Sequence, residues 1–233
     1  MGVIQRSNES EFEKMIPVLP ADEPKTFNSK IRKPGELAIA EMVGERPKRS
    51  SGKPFKTRAK RRDELSSTDF PPYWRRCIND MISKYAEVCS YACFRIHPVT
   101  GAASVDHMAP KSRRWDKVYE WSNYRLCCSR MNARKNSFED VVDPFEVEDD
   151  WFQLELVGFE VMANPKLSRE KRDVLDKTIK RLNLNSFRKD RETDAENYWS
   201  GDISLKILIR ESPFVANELK RQGRLLPRDT PAD

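Results

Sequence analysis

The sequence lacks several features that would assign it to a class directly. It has no apolar run long enough to cross a bilayer and no signal-peptide core at its N-terminus. Its five cysteines are an odd number, which disfavours a disulfide framework and favours a reducing compartment. It also has no phosphate-binding glycine loop, so any ATP hydrolysis would belong to a partner. We therefore expect a cytoplasmic protein that does not enter a membrane.

Charge is abundant in this chain and hydrophobicity is low. Charged residues make up 34% of its 233 residues and hydrophobic residues 38%, whereas a typical globular domain is about 25% charged. Within the net charge of +6, nine Lys or Arg residues and no acidic residue lie between Arg46 and Arg62. Proline and glycine interrupt this basic run. It therefore suits a flexible arm along a phosphate backbone or, equally, a solvated linker with no ligand.

The patterning predicts three regions. Residues 1–66 form an extended basic N-terminal arm with one helix near Glu36–Val43, residues 67–145 a compact core, and residues 146–233 a C-terminal strand pair followed by helices. Within the core, a helix is expected from Tyr73 and another after Ser129. The predicted strands are Phe94–Ile96, Ala103–Asp106, Tyr124–Cys127, Phe152–Val157 and Phe159–Met162. The predicted C-terminal helices are Ser168–Leu182, Ser186–Tyr198 and Ile203–Arg221, the last broken at Pro213.

Chemistry concentrates in the segment from Asp106 to Lys135. Asp106 is a hard oxygen ligand of the kind that Mg²⁺ or Mn²⁺ prefers. The adjacent His107 can take up a proton near neutral pH. Asn132, in the first turn of the following helix, offers a second oxygen ligand, and Arg134 and Lys135 come within reach of a phosphate. A strand–loop–strand–helix unit would therefore gather a base, a metal site and a phosphate clamp.

The chain has only one other histidine, His97. It lies in the sequence His-Pro-Val-Thr-Gly, which is typical of a hairpin turn. The candidates for a general base are therefore limited to these two histidines, and the turn makes a direct role for His97 the less favoured alternative.

The same segment resembles the ββα-metal motif of HNH endonucleases, in the variant whose last histidine is replaced by asparagine. The matching residues are Asp106, His107, Asn123 and Asn132. The extended pattern Val-Asp-His-x-x-Pro-Lys-Ser, Trp-Ser-Asn and Asn-x-x-Lys is similar to HNH proteins of bacterial anti-phage systems, of the Septu type or associated with retrons. The close match covers residues 89–136, and a looser one extends to about residue 214.

The resemblance, which does not cover the first 66 residues, implies a small ββα-metal HNH core. Together with the patterning, the expected fold is α+β, with this core embedded in a mostly helical domain that follows the extended basic N-terminal arm. The resemblance also implies that His107 is the general base and that Asp106 and Asn132 hold one Mg²⁺ or Mn²⁺ ion. Asn123 would pin the loop that aims the imidazole, and Lys135 would offset phosphate charge. The expected nucleic-acid-binding residues are Arg134, Lys111, Arg58, Lys60, Arg61 and Arg62.

Many HNH proteins brace this motif with a zinc ion held by two Cys-x-x-Cys pairs. Here the first pair, Cys89 and Cys93, is one residue wider, and the partner position of Cys128 holds Met131. Since a thioether is a poor zinc ligand beside thiolates, we expect no structural zinc. Apolar packing of Cys89, Cys93 and Met131 would replace it.

The acidic stretch Glu139–Asp150 admits three interpretations. We prefer a solvated face; the stretch could instead repel DNA until a partner covers it, or Asp143 could supply a further carboxylate to the metal.

Three functions compete on these grounds. The first is a metal-dependent endonuclease acting on nucleic acid, with DNA expected rather than RNA, as the effector of an anti-phage system beside an ATPase of the SMC or ABC type. The second is a non-catalytic nucleic-acid-binding or scaffold subunit that kept the fold. The third, a zinc-binding interaction module, is disfavoured by Met131.

Overall fold

The computed structural model describes residues 18–45, 47 and 51–230, in two compact units. The N-terminal unit consists of Pro20–Cys89 and Ile96–Glu139, and the C-terminal unit contains residues 18–19, 90–95 and 140–230. Each unit has helices and one two-stranded antiparallel sheet, so the predicted α+β class is confirmed. Within the described ranges, no helix combines the length and the apolar character needed to span a bilayer.

The N-terminal unit places a strand hairpin directly before a short helix, as the local patterns predict. The strand predicted at Phe94–Ile96, where the two units divide the chain, is wrong, because Arg95 alone makes an isolated bridge there. The regular elements are a π-helical turn Asn28–Arg32, α1 Lys33–Met42, a 3₁₀ turn Tyr73–Cys77, α2 Ile78–Lys84, β1 Ala103–His107, β2 Tyr124–Cys128 and α3 Ser129–Lys135.

The predicted extended arm is wrong for most of its described part, because residues 20–66 belong to the N-terminal unit. The ring of Phe27 contacts that of Trp121 edge-on, with 5.6 Å between centroids, and Met42 is buried. Gly35 packs so closely that an added Cβ would lie 2.1 Å from the Tyr119 ring. The boundary predicted at residue 66 is therefore absent. Residues 1–17, Arg46 and residues 48–50 lie outside the described residues.

Strands β1 and β2 are covered on both sides. Asp106 pairs in register with Arg125, and His107 with Tyr124. Because neighbouring strand residues point to opposite sides, the consecutive buried residues 105–107 and 124–127 show that side chains on both sides are packed at these positions. The end of β1 thus carries polar side chains into the interior of the unit.

The C-terminal unit contains the predicted strand pair and helices, with ends that differ by a few residues. Helix α4 begins after Ser168, whose hydroxyl accepts a hydrogen bond from Lys171 N. The break predicted at Pro213 is confirmed, since this residue opens a new helix. The elements are β3 Phe152–Leu154, β4 Val161–Ala163, α4 Arg169–Leu182, α5 Arg188–Ser200, α6 Leu205–Glu211 and α7 Pro213–Arg221.

Candidate active site

A cleft of about 810 Å³ in the N-terminal unit collects four of the predicted site residues. Asp106, His107, Lys111 and Asn132 all line it. The other predicted residues, Asn123 and Lys135 among them, are not part of its lining. The end of β1, the loop after it and the first turn of α3 therefore form one open site.

His107 is held in a single orientation and protonation state. Its ring is 7% exposed and meets the rings of Trp74 and Tyr124 edge-on, at 4.8 and 5.1 Å between centroids. Nε2 lies 3.0 Å from the Val118 carbonyl oxygen. Since a carbonyl only accepts, Nε2 carries the hydrogen and the lone pair is on Nδ1. Burial, and then the charge of Lys111, lowers the pKa of His107 from 6.5 to about 3, so the imidazole is neutral.

Asp106 and Lys135 form a buried ion pair. The Lys135 ammonium lies 3.2 Å from Asp106 Oδ2, and the two side chains are 0% and 2% exposed. The same ammonium donates to the carbonyl oxygens of His107, at 2.9 Å, and Met108, at 3.2 Å. The predicted phosphate contact of Lys135 is therefore wrong, because the ammonium is enclosed by internal oxygens. It instead binds the end of β1 to α3.

Asn132 presents the oxygen end of its amide as the free acceptor. Its Nδ2 donates to Ser104 Oγ at 2.6 Å and to the Val105 carbonyl at 3.2 Å. Oδ1 has no hydrogen-bonding partner among the described residues. A carboxylate and an amide oxygen are hard donors, and Mg²⁺ commonly takes one or two such ligands and completes its shell with water and phosphate.

This donor set is small. No group of three or more His, Cys, Asp or Glu side chains in the described ranges could hold a metal ion. Asp106 and Asn132 therefore fit a hard divalent ion that draws most of its ligands from water and substrate.

Asn123 holds the loop between β1 and β2 in shape. Its Oδ1 accepts from Ala109 N at 2.7 Å, and its Nδ2 donates to the carbonyls of Ala109, at 3.1 Å, and Lys117, at 3.0 Å. The next residue after Lys117 is Val118, whose carbonyl fixes His107. Asn123 thus acts on the imidazole through the loop backbone.

The four predicted cations of the arm are mostly compensated or distant from the cleft lining. Arg62 pairs with Glu45 at 2.9 Å, and Arg61 pairs with Asp63. Arg58 and Lys60 are exposed and line no part of the cleft. Acidic residues that precede or follow the basic run therefore pair with Arg61 and Arg62, and binding of nucleic acid by the four cations stays a prediction.

Arg134, the remaining predicted phosphate contact, is half-buried in α3 and does not line the cleft. Burial, and then the charge of Arg130, lowers its pKa. Of the six predicted nucleic-acid-binding residues, only Lys111 lines the cleft.

The cysteine positions and the acidic stretch have structural contacts. Cys128 N donates to Cys89 Sγ at 3.5 Å, and contact with that thiol lowers the pKa of Cys128 to about 6. Met131 is fully buried in the same unit. In the acidic stretch, Asp140 pairs with Arg181 at 2.9 Å on the surface of the C-terminal unit.

Sequence analysis did not identify three groups that belong to the site, two side chains and one backbone carbonyl. Trp74 lies in the segment for which only a helix from Tyr73 was predicted, yet it packs against His107. Arg75, beside it, lines the cleft. The Val118 carbonyl is a backbone group, so no side-chain pattern marks it. Trp74 and Arg75 lie far from the motif in sequence, and only folding brings them to it.

Comparisons with known proteins do not assign a function to the chain, so the functional assignment rests on the geometry of the site. No protein-family model matches the chain. No curated protein matches it either.

Proposed function

We propose that the protein is a metal-dependent HNH-type endonuclease that hydrolyses phosphodiester bonds of nucleic acid. The observation that carries the proposal is that His107, whose Nε2 lies 3.0 Å from the Val118 carbonyl oxygen, lines one cleft with the carboxylate of Asp106 and the amide of Asn132. The element order β1, β2, α3 also agrees with the ββα-metal motif that the sequence resembles. Asp106 and His107 lie on β1, and Asn132 lies on α3.

In this proposal His107 Nδ1 takes a proton from the water that attacks phosphorus. The hydrogen bond from Nε2 to Val118 stabilises the imidazolium that results. Burial alone leaves His107 a weak base, with a pKa of about 3. A phosphodiester anion in the cleft would raise this pKa, because a nearby negative charge favours the protonated form.

The remaining side chains position and balance charge. A divalent ion held by Asp106 and Asn132 would supply positive charge against the scissile phosphate and the leaving oxygen. Lys135 keeps the Asp106 carboxylate at the end of β1. Asn123 keeps the loop that carries Val118 in place.

Cleavage of plasmid DNA in Mg²⁺ or Mn²⁺ tests the proposal, with His97→Ala as the matched control for His107→Ala. Loss of a general base is expected to slow cleavage about 100- to 10,000-fold. His97 should be dispensable, since it is exposed and its Nδ1 accepts from Val99 N in its own turn at 3.2 Å. Equal rates for wild type and His107→Ala, with both folded, would reject His107 as the base.

A non-catalytic nucleic-acid-binding or scaffold subunit is the second candidate. The buried Lys135 ammonium favours it, because this group already supplies a counter-charge to Asp106 without any metal. Calorimetric titration with Mn²⁺ distinguishes the two. The enzyme should bind Mn²⁺ in a manner lost in Asp106→Asn, whereas a scaffold should bind none and cleave nothing while still binding DNA.

From the sequence resemblance alone, we extend the proposal to DNA as substrate and to an SMC- or ABC-type ATPase as partner in anti-phage defence. Co-purification with such an ATPase, and cleavage that changes when ATP is turned over, are the expected results. Stronger cleavage of RNA than of matched DNA would contradict the choice of substrate.

A further inference from the structure

Two cations line the cleft beside the catalytic candidates. Arg75 lies in the 3₁₀ turn Tyr73–Cys77, and Lys111 lies in the loop after β1. Both border the same cleft as Asp106 and His107. Arg75 is exposed and Lys111 is half-buried, so both side chains are accessible to a ligand in the cleft.

Neither cation has an acidic partner. Among the described residues, no carboxylate forms an ion pair or hydrogen bond with Arg75 or Lys111, and their charges act on each other, since Arg75 contributes to the lowered pKa of Lys111. Other arginines of this unit are compensated. Examples are Arg113 with Glu139, Arg114 with Asp116 and Arg62 with Glu45.

Trp74 ties this pair to the candidate base. The Lys111 ammonium lies 4.3 Å from the centroid of the Trp74 ring, a cation–π contact. The His107 ring is 4.8 Å from the same ring, edge-on. One indole therefore holds the ammonium and the imidazole close together, and an anion bound by Lys111 would lie next to the reacting group.

We propose that Arg75 and Lys111 form a phosphate-binding subsite that holds a backbone phosphate of the nucleic acid adjacent to the one cleaved, an inference that rests on the proposed function. Two uncompensated cations in a cleft favour an anion, and a nucleic-acid strand offers phosphates at regular spacing. Contacts of this kind fix the register of the strand and carry no base sequence. The subsite therefore positions the substrate, and Trp74 is a positioning residue for both Lys111 and His107.

Salt-dependent binding tests the subsite in chelator, where metal-dependent cleavage is stopped. The probe is a labelled 20-base-pair DNA duplex, measured by fluorescence anisotropy with wild type, Arg75→Gln/Lys111→Met and the control Arg76→Gln. Lys111→Met keeps the packing on Trp74. Arg76 is the neighbouring exposed arginine, but its side chain donates to the Lys30 carbonyl and does not line the cleft.

The double variant should bind more weakly, and the slope of log affinity against log salt should become shallower by about 2, since each phosphate contact contributes about 0.9. Arg76→Gln should keep the wild-type slope. The double variant should lose the same factor in affinity for a second duplex of unrelated sequence, because phosphate contacts do not read base sequence. An unchanged slope in the double variant, or no binding by wild type, would overturn the subsite.

Cleavage assays on the same proteins distinguish failure of the phosphate-binding subsite from failure of the proposed nuclease activity. Wild-type cleavage in Mg²⁺ combined with an unchanged binding slope would reject the subsite and keep the nuclease. A reduced slope with no wild-type cleavage in Mg²⁺ or Mn²⁺ would support the phosphate site and reject the nuclease. If both hold, the double variant should have a higher KM for the duplex than wild type, because the subsite binds the strand.

Discussion

The two units contain the same local sequence of elements, a two-stranded antiparallel hairpin followed by a helix, but they bury different chemistry. In β3 and β4 the burial alternates, with apolar Leu154 and Val161 inside and Met162 40% exposed. In β1 and β2 the residues at the strand ends are buried on both sides and include Asp106 and His107. The first hairpin thus carries ionisable groups at positions where the second carries only packing residues.

This difference separates what a fold needs from what a site needs. The C-terminal hairpin shows that a strand–strand–helix arrangement in this chain can be stabilised by apolar burial. Burying a carboxylate, an imidazole and an ammonium in the other hairpin is unfavourable unless each group has partners. Their presence therefore points to a use beyond stability, and the partners that permit it are Lys135 for Asp106 and the Val118 carbonyl for His107.

The largest effect is expected from Lys135→Met, which removes the ammonium beside Asp106. Breaking a buried ion pair from one side is expected to lower the free energy of unfolding by about 3–5 kcal/mol. The solvated Lys177→Met on α4, the helix after the second hairpin, should change it by less than about 0.5 kcal/mol. Urea unfolding in chelator measures both.

Removing both charges of the buried pair should restore much of the free energy of unfolding. Replacing Asp106 as well, in Lys135→Met/Asp106→Leu, should recover much of the loss because no charge remains unpaired. If Lys135→Met alone were as stable as wild type, the ion pair would not be what holds β1 to α3.

Truncating a buried side chain of the second hairpin should lower the free energy of unfolding without changing the rate of cleavage. Leu154→Ala, at a side chain only 2% exposed, is expected to cost about 2–5 kcal/mol of unfolding free energy. Its metal-dependent kcat should equal that of wild type at temperatures where it is folded. Met162→Ala, on the exposed side of the same hairpin, is the control and should be nearly neutral. A large fall in kcat with intact folding would erase the contrast between the hairpins.

The buried imidazole predicts an acid-sensitive N-terminal unit. The unfolded chain takes up the His107 proton near pH 6.5, and the folded unit only near pH 3. Between these values the unfolded state binds more protons, so stability is complete above pH 6.5 and falls as the pH is lowered. The expected loss between pH 6.5 and 5 is about 2 kcal/mol.

His107→Gln should lack this component. Unfolding of wild type, His107→Gln and the control His97→Gln, followed from pH 7 to 5 in chelator, measures it. Parallel pH profiles for all three would show that His107 is protonated equally in the folded and unfolded states.

The smallest effect concerns the start of the helix after each hairpin. Ser168 caps α4 by accepting from Lys171 N at 3.3 Å, so Ser168→Ala is expected to cost about 1 kcal/mol. At the equivalent place before α3, the N-cap residue Cys128 makes no side-chain cap. Thermal unfolding should therefore show a smaller loss for Cys128→Ala than for Ser168→Ala. The reverse order would mean that the Cys128 contacts outweigh a hydroxyl cap.

Local patterns predicted the elements that carry the candidate site. β-prone residues between turn residues predicted β1 and β2, and Ser129 as a candidate cap predicted α3. The same reasoning failed for residues 20–66, where buried Phe27 and Met42 stand among charges and prolines and are recognisable as core only once their partners are known. It also failed for Lys135, which is one turn of helix beyond Asn132 but points into the interior.

The sequence by itself determined the order of strands and helices, the α+β class and the set of groups from which the cleft is built, because these depend on neighbours a few residues apart. Only the tertiary structure decided which of those groups share a cleft and in what state. The protonation of His107, the pairing of Lys135 with Asp106 and the arrival of Trp74 and Arg75 all depend on burial and on distances between segments remote in the chain. Those quantities exist only after the chain has folded.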